Sequence, residues 1–312
     1  MTHTVLLGGS GFVGDALANE LTTRGGNVTI LCRNPATRRS ARPGVNVRIA
    51  DPTSVEDLTA ELADADVLVN LVGILNEPGF DGSGFRRAHV DVTANALAAC
   101  SAAGVKRYVQ MSALRAGEGS SHYLKTKGEA EALVTASDLD WAIIRPSVIF
   151  GPADSFLNRF AALVSLTPLV MPLACAGSRF QPVYVGDVAD AFANLIDQRQ
   201  CGKQTLELAG PTTYTLKQLV QYVIALKGRR MAVLGLPAIA SKLQAYLMNL
   251  VPGKPFSTDN YRSLQLDSVT DDNGLQALGV TPTPLEAIAP SYIGNHQRAH
   301  RFDDARSRAG RD

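Results

Sequence analysis

The sequence predicts a doubly wound α/β fold, a parallel sheet covered by helices on both faces, with a small C-terminal lobe. Three observations carry this. Short β-branched runs alternate with stretches of helical spacing through the first half, the rhythm of a parallel sheet built from crossover units. A glycine-rich turn stands at the first strand–helix junction. After Phe150-Gly151-Pro152 the regular alternation gives way to many proline breaks.

In chain order, strands are expected at 4–7, 28–32, 45–49, 67–71, 105–111 and 141–145, and helices at 12–24, 54–62, 85–102 and 123–136. The link between the second and third strands is the weakest part of the pattern, with its Pro35, Pro43 and Gly44. Residues 1–150 therefore form the first domain. In residues 151–294, Pro168, Pro172, Pro182, Pro211, Pro237, Pro252 and Pro255 mark the breaks. This stretch should hold the remaining sheet elements and an irregular lobe. Residues 295–312 are polar and arginine-rich, as expected of a frayed tail.

Composition narrows the function. With 46% apolar and 19% charged residues, the chain should fold around a sizeable core rather than remain disordered. Its 30 basic and 29 acidic side chains give no reason to expect a nucleic-acid surface. Cys32, Cys100, Cys175 and Cys201 are scattered without a C-x-x-C pair, and the N-terminus runs straight into an apolar strand. Free thiols in a reducing cytoplasm, with no metal site, are the expectation. The uncharged run 160–178 reaches the ~18 residues that raise a transmembrane helix. Pro168 and Pro172 interrupt it, so a short helix, a turn and a buried strand are expected instead.

The opening Gly8-Gly9-Ser10-Gly11-Phe12-Val13-Gly14 places glycines at G-x-x-G-x-x-G spacing between strand and helix. Glycine permits the tight turn, lets a pyrophosphate approach the backbone and lets the helix pack on the strand. Phosphate oxygens would meet free N–H groups at the helix N-terminus. Gly8, Ser10, Gly11, Phe12, Val13 and Gly14 are thus the expected cradle of a nicotinamide dinucleotide. At the end of the second strand, where an acidic residue would hold a ribose 2′-hydroxyl, the chain has Arg33. A guanidinium there suits a 2′-phosphate, favouring NADP(H) over NAD. Arg38, Arg39 and Arg42 read as an ordinary solvated loop.

Tyr123 and Lys127 stand four residues apart on one helix face. A phenol next to an ammonium and a cationic nicotinamide would favour its anion and could shuttle a proton. The strand 105–111 would deliver Ser112 beside them.

At this point the chain resembles the short-chain dehydrogenase/reductase superfamily in its extended form. The likeness runs from about Thr4 to Ile293. It rests on the glycine turn, Asp51, Asn70-Leu71-Val72-Gly73, Tyr123 with Lys127, the run from Arg145 to Pro152 and the run from Gln181 to Ala189. A narrower likeness is to the atypical branch related to the accessory subunit of respiratory complex I. It rests on the runs Val109 to Leu114, Tyr123 to Glu131 and Pro255 to Asp259. The resemblance implies that Asp51 meets the adenine and that Leu71, Val72 and Gly73 line the adenosine side. Tyr123 and Lys127 would bind the nicotinamide ribose, with Pro146 and Val148 bordering the ring. Plain alternatives are a helix N-cap for Asp51 and core packing for Val72, Pro146 and Val148, while Asp187 is expected to be a helix N-cap.

Two departures bear on turnover. The extended family usually has asparagine where this chain has His89, which is expected to be packed or solvated. An alternative register of the strand places Ala113, not Ser112, at the position that polarises a substrate oxygen. The resemblance therefore implies an NADP(H)-binding protein associated with a respiratory complex, cytoplasmic or peripheral on the inner face of a membrane. The alternatives are an active NADP-dependent reductase, epimerase or dehydratase and, third, an NADP-sensing regulator. In the active enzyme Tyr123 would donate or accept the proton, Lys127 would lower its pKa and Ser112 would polarise substrate. Residues 231–250 carry Leu236, Ile239, Leu243, Tyr246, Leu247 and Leu250 at helical spacing. This stripe is expected to pack on the chain's own lobe, with a partner or membrane surface as the alternative.

Overall fold

A computed structural model describes residues 2–34, 44–167, 169–198, 200–251 and 254–294. Arg38, Arg39, Arg42 and the segment from 295 onward lie outside the described residues. Seven strands, β1 (His3–Leu7), β2 (Asn27–Cys32), β3 (Val45–Ile49), β4 (Val67–Asn70), β5 (Arg107–Met111), β6 (Asp140–Pro146) and β7 (Gln204–Leu208), form one sheet. Its order is β7-β6-β5-β4-β1-β2-β3 and every pairing is parallel. The expected fold class holds.

Alternation along each strand sets the two layers. Leu6, Ile30, Val69, Val109 and Ile144 face the helices Phe12–Thr23 and Val185–Asp197. Val5, Leu7, Leu31, Leu68 and Ile143 face the helices Val55–Glu61 and Val92–Ala103 and the end of His122–Thr135. Strands buried on both faces read as continuous apolar runs rather than alternating ones. That is why β1 and β4 stand out so plainly in the sequence. Strand order reverses across the parallel β1–β4 pair, which opens a crevice beyond their carboxyl ends.

The helix expected at 85–102 is broken into Ser83–Arg86, a π-turn Arg87–Asp91 and Val92–Ala103. The π-turn carries His89. The run 160–178 becomes the end of the helix Leu157–Leu166 and the strand Val170–Leu173. That strand is half-buried, with alternate residues exposed, instead of buried throughout as expected. No helix among the described residues is long and apolar enough to cross a membrane. The lobe has its own core around Phe150, Leu157, Phe180, Leu219 and Leu285. Asp154 anchors it, accepting from the N–H groups of Gly151, Phe156, Leu157 and Asn158 and from the Tyr292 hydroxyl.

Candidate functional site

The glycine turn shows why each glycine is there. Gly8 has φ +79°, a left-handed conformation, and a Cβ on it would sit 3.0 Å from Val72 Cγ2. A Cβ on Gly14 would lie 2.4 Å from Gly9 Cα, so only glycine lets the helix close onto the turn. Gly11 is different. Its Cβ direction is open, with only the Gly8 carbonyl oxygen at 3.5 Å, and no side chain caps the helix there. The turn thus leaves space at an uncapped helix N-terminus, which fits a pyrophosphate.

The crevice continues as one cavity of about 700 Å³. Gly8, Gly11, Phe12, Val13, Gly14, Leu71, Gly73, Ser112, Tyr123, Lys127, Pro146 and Val148 all line it. Ser10, Val72, Arg33 and Asp51 do not. Val72 packs under Gly8 instead. Arg33 and Asp51 are both exposed just past the ends of β2 and β3. The Asp51 carboxylate accepts from the Thr53 N–H at 2.9 Å and hydroxyl at 2.7 Å. These bonds, with a smaller contribution from Arg33, hold its pKa below the usual range. Asp51 is therefore not the helix cap its plain alternative required, because Ser54 accepts from Asp57 N–H in that role. Asp187 is not an N-cap either. It lies in the first turn of its helix and holds Thr283 by two hydrogen bonds.

A buried polar network fixes the Leu71-Val72-Gly73 loop. Asn70 donates to Thr93, Tyr108 and Gln110 and accepts from the Val72 N–H. His89, 1% exposed, extends this wall. Its Nε2 accepts from the Ile74 N–H at 3.2 Å, so the proton sits on Nδ1 and faces the Thr126 hydroxyl at 2.8 Å. Burial first, and Lys127 second, push its pKa down to about 3. It is a neutral packing element, as the sequence suggested.

Tyr123 and Lys127 share the inner face of the helix His122–Thr135. Tyr123 stacks edge-on against Phe85 and His89 at centroid distances of 6.1 and 5.5 Å. Lys127 donates to the Met111 carbonyl at 3.0 Å. Burial lowers the ammonium to about 8, against a raising influence from Glu131. Burial also raises the Tyr123 phenol to about 12. The lowering that the sequence reading assigned to Lys127 and a nicotinamide would have to come with bound cofactor. The Ser112 hydroxyl is fully shielded and makes no hydrogen bond, while Ala113 also lines the cavity.

Three supporting residues were not found in the sequence. Asp259 accepts from the backbone N–H groups of His122 and Tyr123, fixing the start of the tyrosine's helix. Its only signal was membership in the Pro255–Asp259 run. Asp154 gave no signal at all. Lys254 donates to the carbonyls of Glu77, Pro78 and Gly79 and lies 3.8 Å over the Phe80 ring, tying the lobe to the loop beyond β4. Among the described residues no cluster could hold a metal ion and the four cysteines are free thiols.

Comparison with known proteins agrees with this geometry. A family model described as NAD(P)H-binding matches residues 8–154. The rat mitochondrial NADH dehydrogenase [ubiquinone] 1 alpha subcomplex subunit 9 is 30% identical over 94% of this chain and 80% of its own. A ceramide reductase of Caulobacter vibrioides is 26% identical over 74% of this chain and 73% of its own. The crystal structure of gox2253 superposes with TM-score 0.76 at 20% identity, covering 96% of this chain and 99% of that one. MoeE5 in complex with UDP-glucuronic acid and NAD gives 0.72 at 20%, covering 93% and 97%. The chain thus has an NAD(P)-binding fold of the short-chain dehydrogenase/reductase-like class. Within that class it belongs to the family of the alpha subcomplex subunit 9 of NADH dehydrogenase.

Proposed function

We propose that the chain holds NADP(H) as a non-catalytic subunit of a respiratory NADH dehydrogenase, peripheral on the inner face of the membrane. One observation carries the choice of holding over turnover. Tyr123 and Lys127 line the cavity where a nicotinamide ribose would lie, whereas Ser112 contributes to the lining with its hydroxyl oxygen covered and making no hydrogen bond. Without a polarising donor the oxyanion-type stabilisation that is often the largest catalytic contribution is missing. Bound nicotinamide supplies a hydride carrier. In this reading Gly8, Ser10, Gly11, Phe12, Val13 and Gly14 bind its pyrophosphate. Arg33 binds the 2′-phosphate and Asp51 the adenine, Leu71, Val72 and Gly73 line the adenosine, and Pro146 with Val148 borders the ring. The family relationship to a complex I subunit supports the partner.

An active reductase is the second reading, favoured by the intact Tyr123–Lys127 pair facing the cavity. The Caulobacter relative bears a reductase name. Purification from native membranes separates the two. The expected result is NADP(H) bound near one per chain, in the fractions that carry NADH dehydrogenase activity, with at most a modest change in affinity and no loss of that association in Tyr123→Phe. A wholly soluble chain whose substrate-dependent NADPH oxidation falls about 10²–10⁴-fold in Tyr123→Phe would replace it with the reductase reading.

A further inference from the structure

The cavity does not end at the nicotinamide position. Beyond Pro146 and Val148 it runs into the lobe, where Phe156, Phe160, Leu163, Met171, Phe180 and Leu264 line it. Phe156 packs edge-on to Phe160 at 5.4 Å and tilted on Phe180 at 5.6 Å, giving a wall of ring faces and edges.

The larger polar side chains along this stretch are turned at least in part toward the protein itself. Gln244 accepts from the Ala174 N–H and donates to the Pro172 carbonyl. Thr167 donates to the Leu163 carbonyl, and Asn260 donates to Leu75 and accepts from the Ser257 N–H. Two arginines line the cavity. Arg115 donates through Nε and Nη2 to the carbonyls of Asp267 and Val269, and Arg159 through Nη1 to that of Pro255. A ligand rich in phosphates and hydroxyls would find many of these groups partly engaged, and much of its desolvation would go uncompensated. An apolar ligand meets no such barrier.

The same segments also carry apolar residues outward. The helix Leu157–Leu166 places Leu163 on the cavity and leaves Leu166 82% exposed at its end. The helix Ala238–Met248 places Gln244 and Met248 on the cavity and leaves Ile239, Leu243 and Leu247 exposed. Contrary to expectation, this stripe does not pack on the lobe, because Ser241 and Ala245 are the residues it buries. An aliphatic chain entering at this end would cross apolar surface before reaching an apolar interior.

We infer that the lobe half of the cavity is a binding site for one long aliphatic chain, with the polar end of the same molecule toward Tyr123. Only the orientation of the head rests on the cofactor reading. The chain site stands on the lobe alone. Flexible Met171 and Met248 would let it accept chains of varied shape.

The test uses the full chain with parinarate, a fluorescent long-chain fatty acid, and separately follows NADPH by its effect on the melting midpoint. Saturable binding of one parinarate per chain is expected. Ser263→Trp, which fills the cavity, and Leu163→Gln, which makes it polar, should each weaken parinarate by about tenfold or more, roughly the loss of two methylenes of contact. The NADPH-induced shift should persist in both, so failure of the cofactor reading would be visible on its own. As a measurement free of substitutions, a fatty acid with a photoreactive terminal group should label peptides within 156–180 or 256–266. Labelling confined to the exposed residues Ile239, Leu243 and Leu247, or unsaturable parinarate uptake insensitive to both variants, would overturn the inference.

Discussion

The two ends of the cavity are built on opposite principles. The sheet end is made of backbone: a turn of glycines, a helix N-terminus and a loop held by Asn70. The lobe end is made of side chains, aromatic and flexible, set on short irregular elements. A backbone site demands particular residues at particular spacings, because only glycine fits at Gly8 and Gly14. A side-chain site demands only apolar volume, which many sequences supply. The first kind specifies one ligand fragment closely, whereas the second accepts a class.

The sharpest way to break this contrast is to charge the rigid wall between the two ends. His89 has a folded pKa of about 3 against about 6.5 unfolded, so the unfolded chain binds more protons between those values. Its contribution to stability is therefore fully present above pH 6.5 and is lost as pH falls toward 3. The difference should reach roughly 3–5 kcal/mol. Denaturant melts of the parent and His89→Asn across this range should diverge progressively on acidification, the parent losing more. Parallel curves would mean that the wall relaxes and hydrates the imidazole, and that the sheet end is softer than its network suggests.

That same contrast explains what was legible beforehand. Strands β1, β2 and β4 are buried on both faces, so their apolar runs read directly, and the glycine turn follows from its geometry. The seventh strand Gln204–Leu208 was not singled out. Only Leu208 of its five residues is buried at the sheet edge, and the lobe elements intervene between it and β6. Tyr123 and Lys127 were legible because a helix places positions four apart on one face. Asp259 was not, since its partners are backbone groups 136 and 137 residues away. Nor was the exposure of Leu243 and Leu247. A helical apolar stripe looks the same whether it faces a core or solvent, and only the position of Ser241 and Ala245 decides.

A second prediction acts on the backbone site alone. Gly11 has extended dihedrals, φ −81° and ψ −179°, which valine adopts without strain, and nothing but the Gly8 carbonyl oxygen stands near its Cβ direction. Gly11→Val should keep a cooperative fold while its side chain fills the phosphate space. With NADPH at about 100 times the parent's Kd, the parent should gain about 2.7 kcal/mol and the variant almost none. A preserved melting shift would move the pyrophosphate away from the turn. Unchanged parinarate binding in this variant would show that the two ends act independently.

The smallest expected effect concerns which dinucleotide the sheet end selects. Arg33 is exposed just past β2, with the Asp51 carboxylate near enough to feel its charge. A 2′-phosphate brings more negative charge than a hydroxyl, so it gains from the guanidinium but is opposed by Asp51. Removing Arg33 takes away the attraction and leaves the repulsion. Arg33→Ala should therefore weaken NADPH by roughly 1.5–3 kcal/mol while changing NADH little. Asp51→Asn should shift the preference slightly toward NADPH, because both cofactors lose the adenine contact alike while only NADPH is relieved of a repulsion that the exposed carboxylate exerts weakly. Titrations of both cofactors against the intrinsic fluorescence of Trp141 and the tyrosines would decide. If the parent prefers NADH and Arg33→Ala alters neither affinity, the arginine is only a solvated charge. The selectivity of the backbone site would then end at the pyrophosphate, leaving the ribose as tolerant as the lobe.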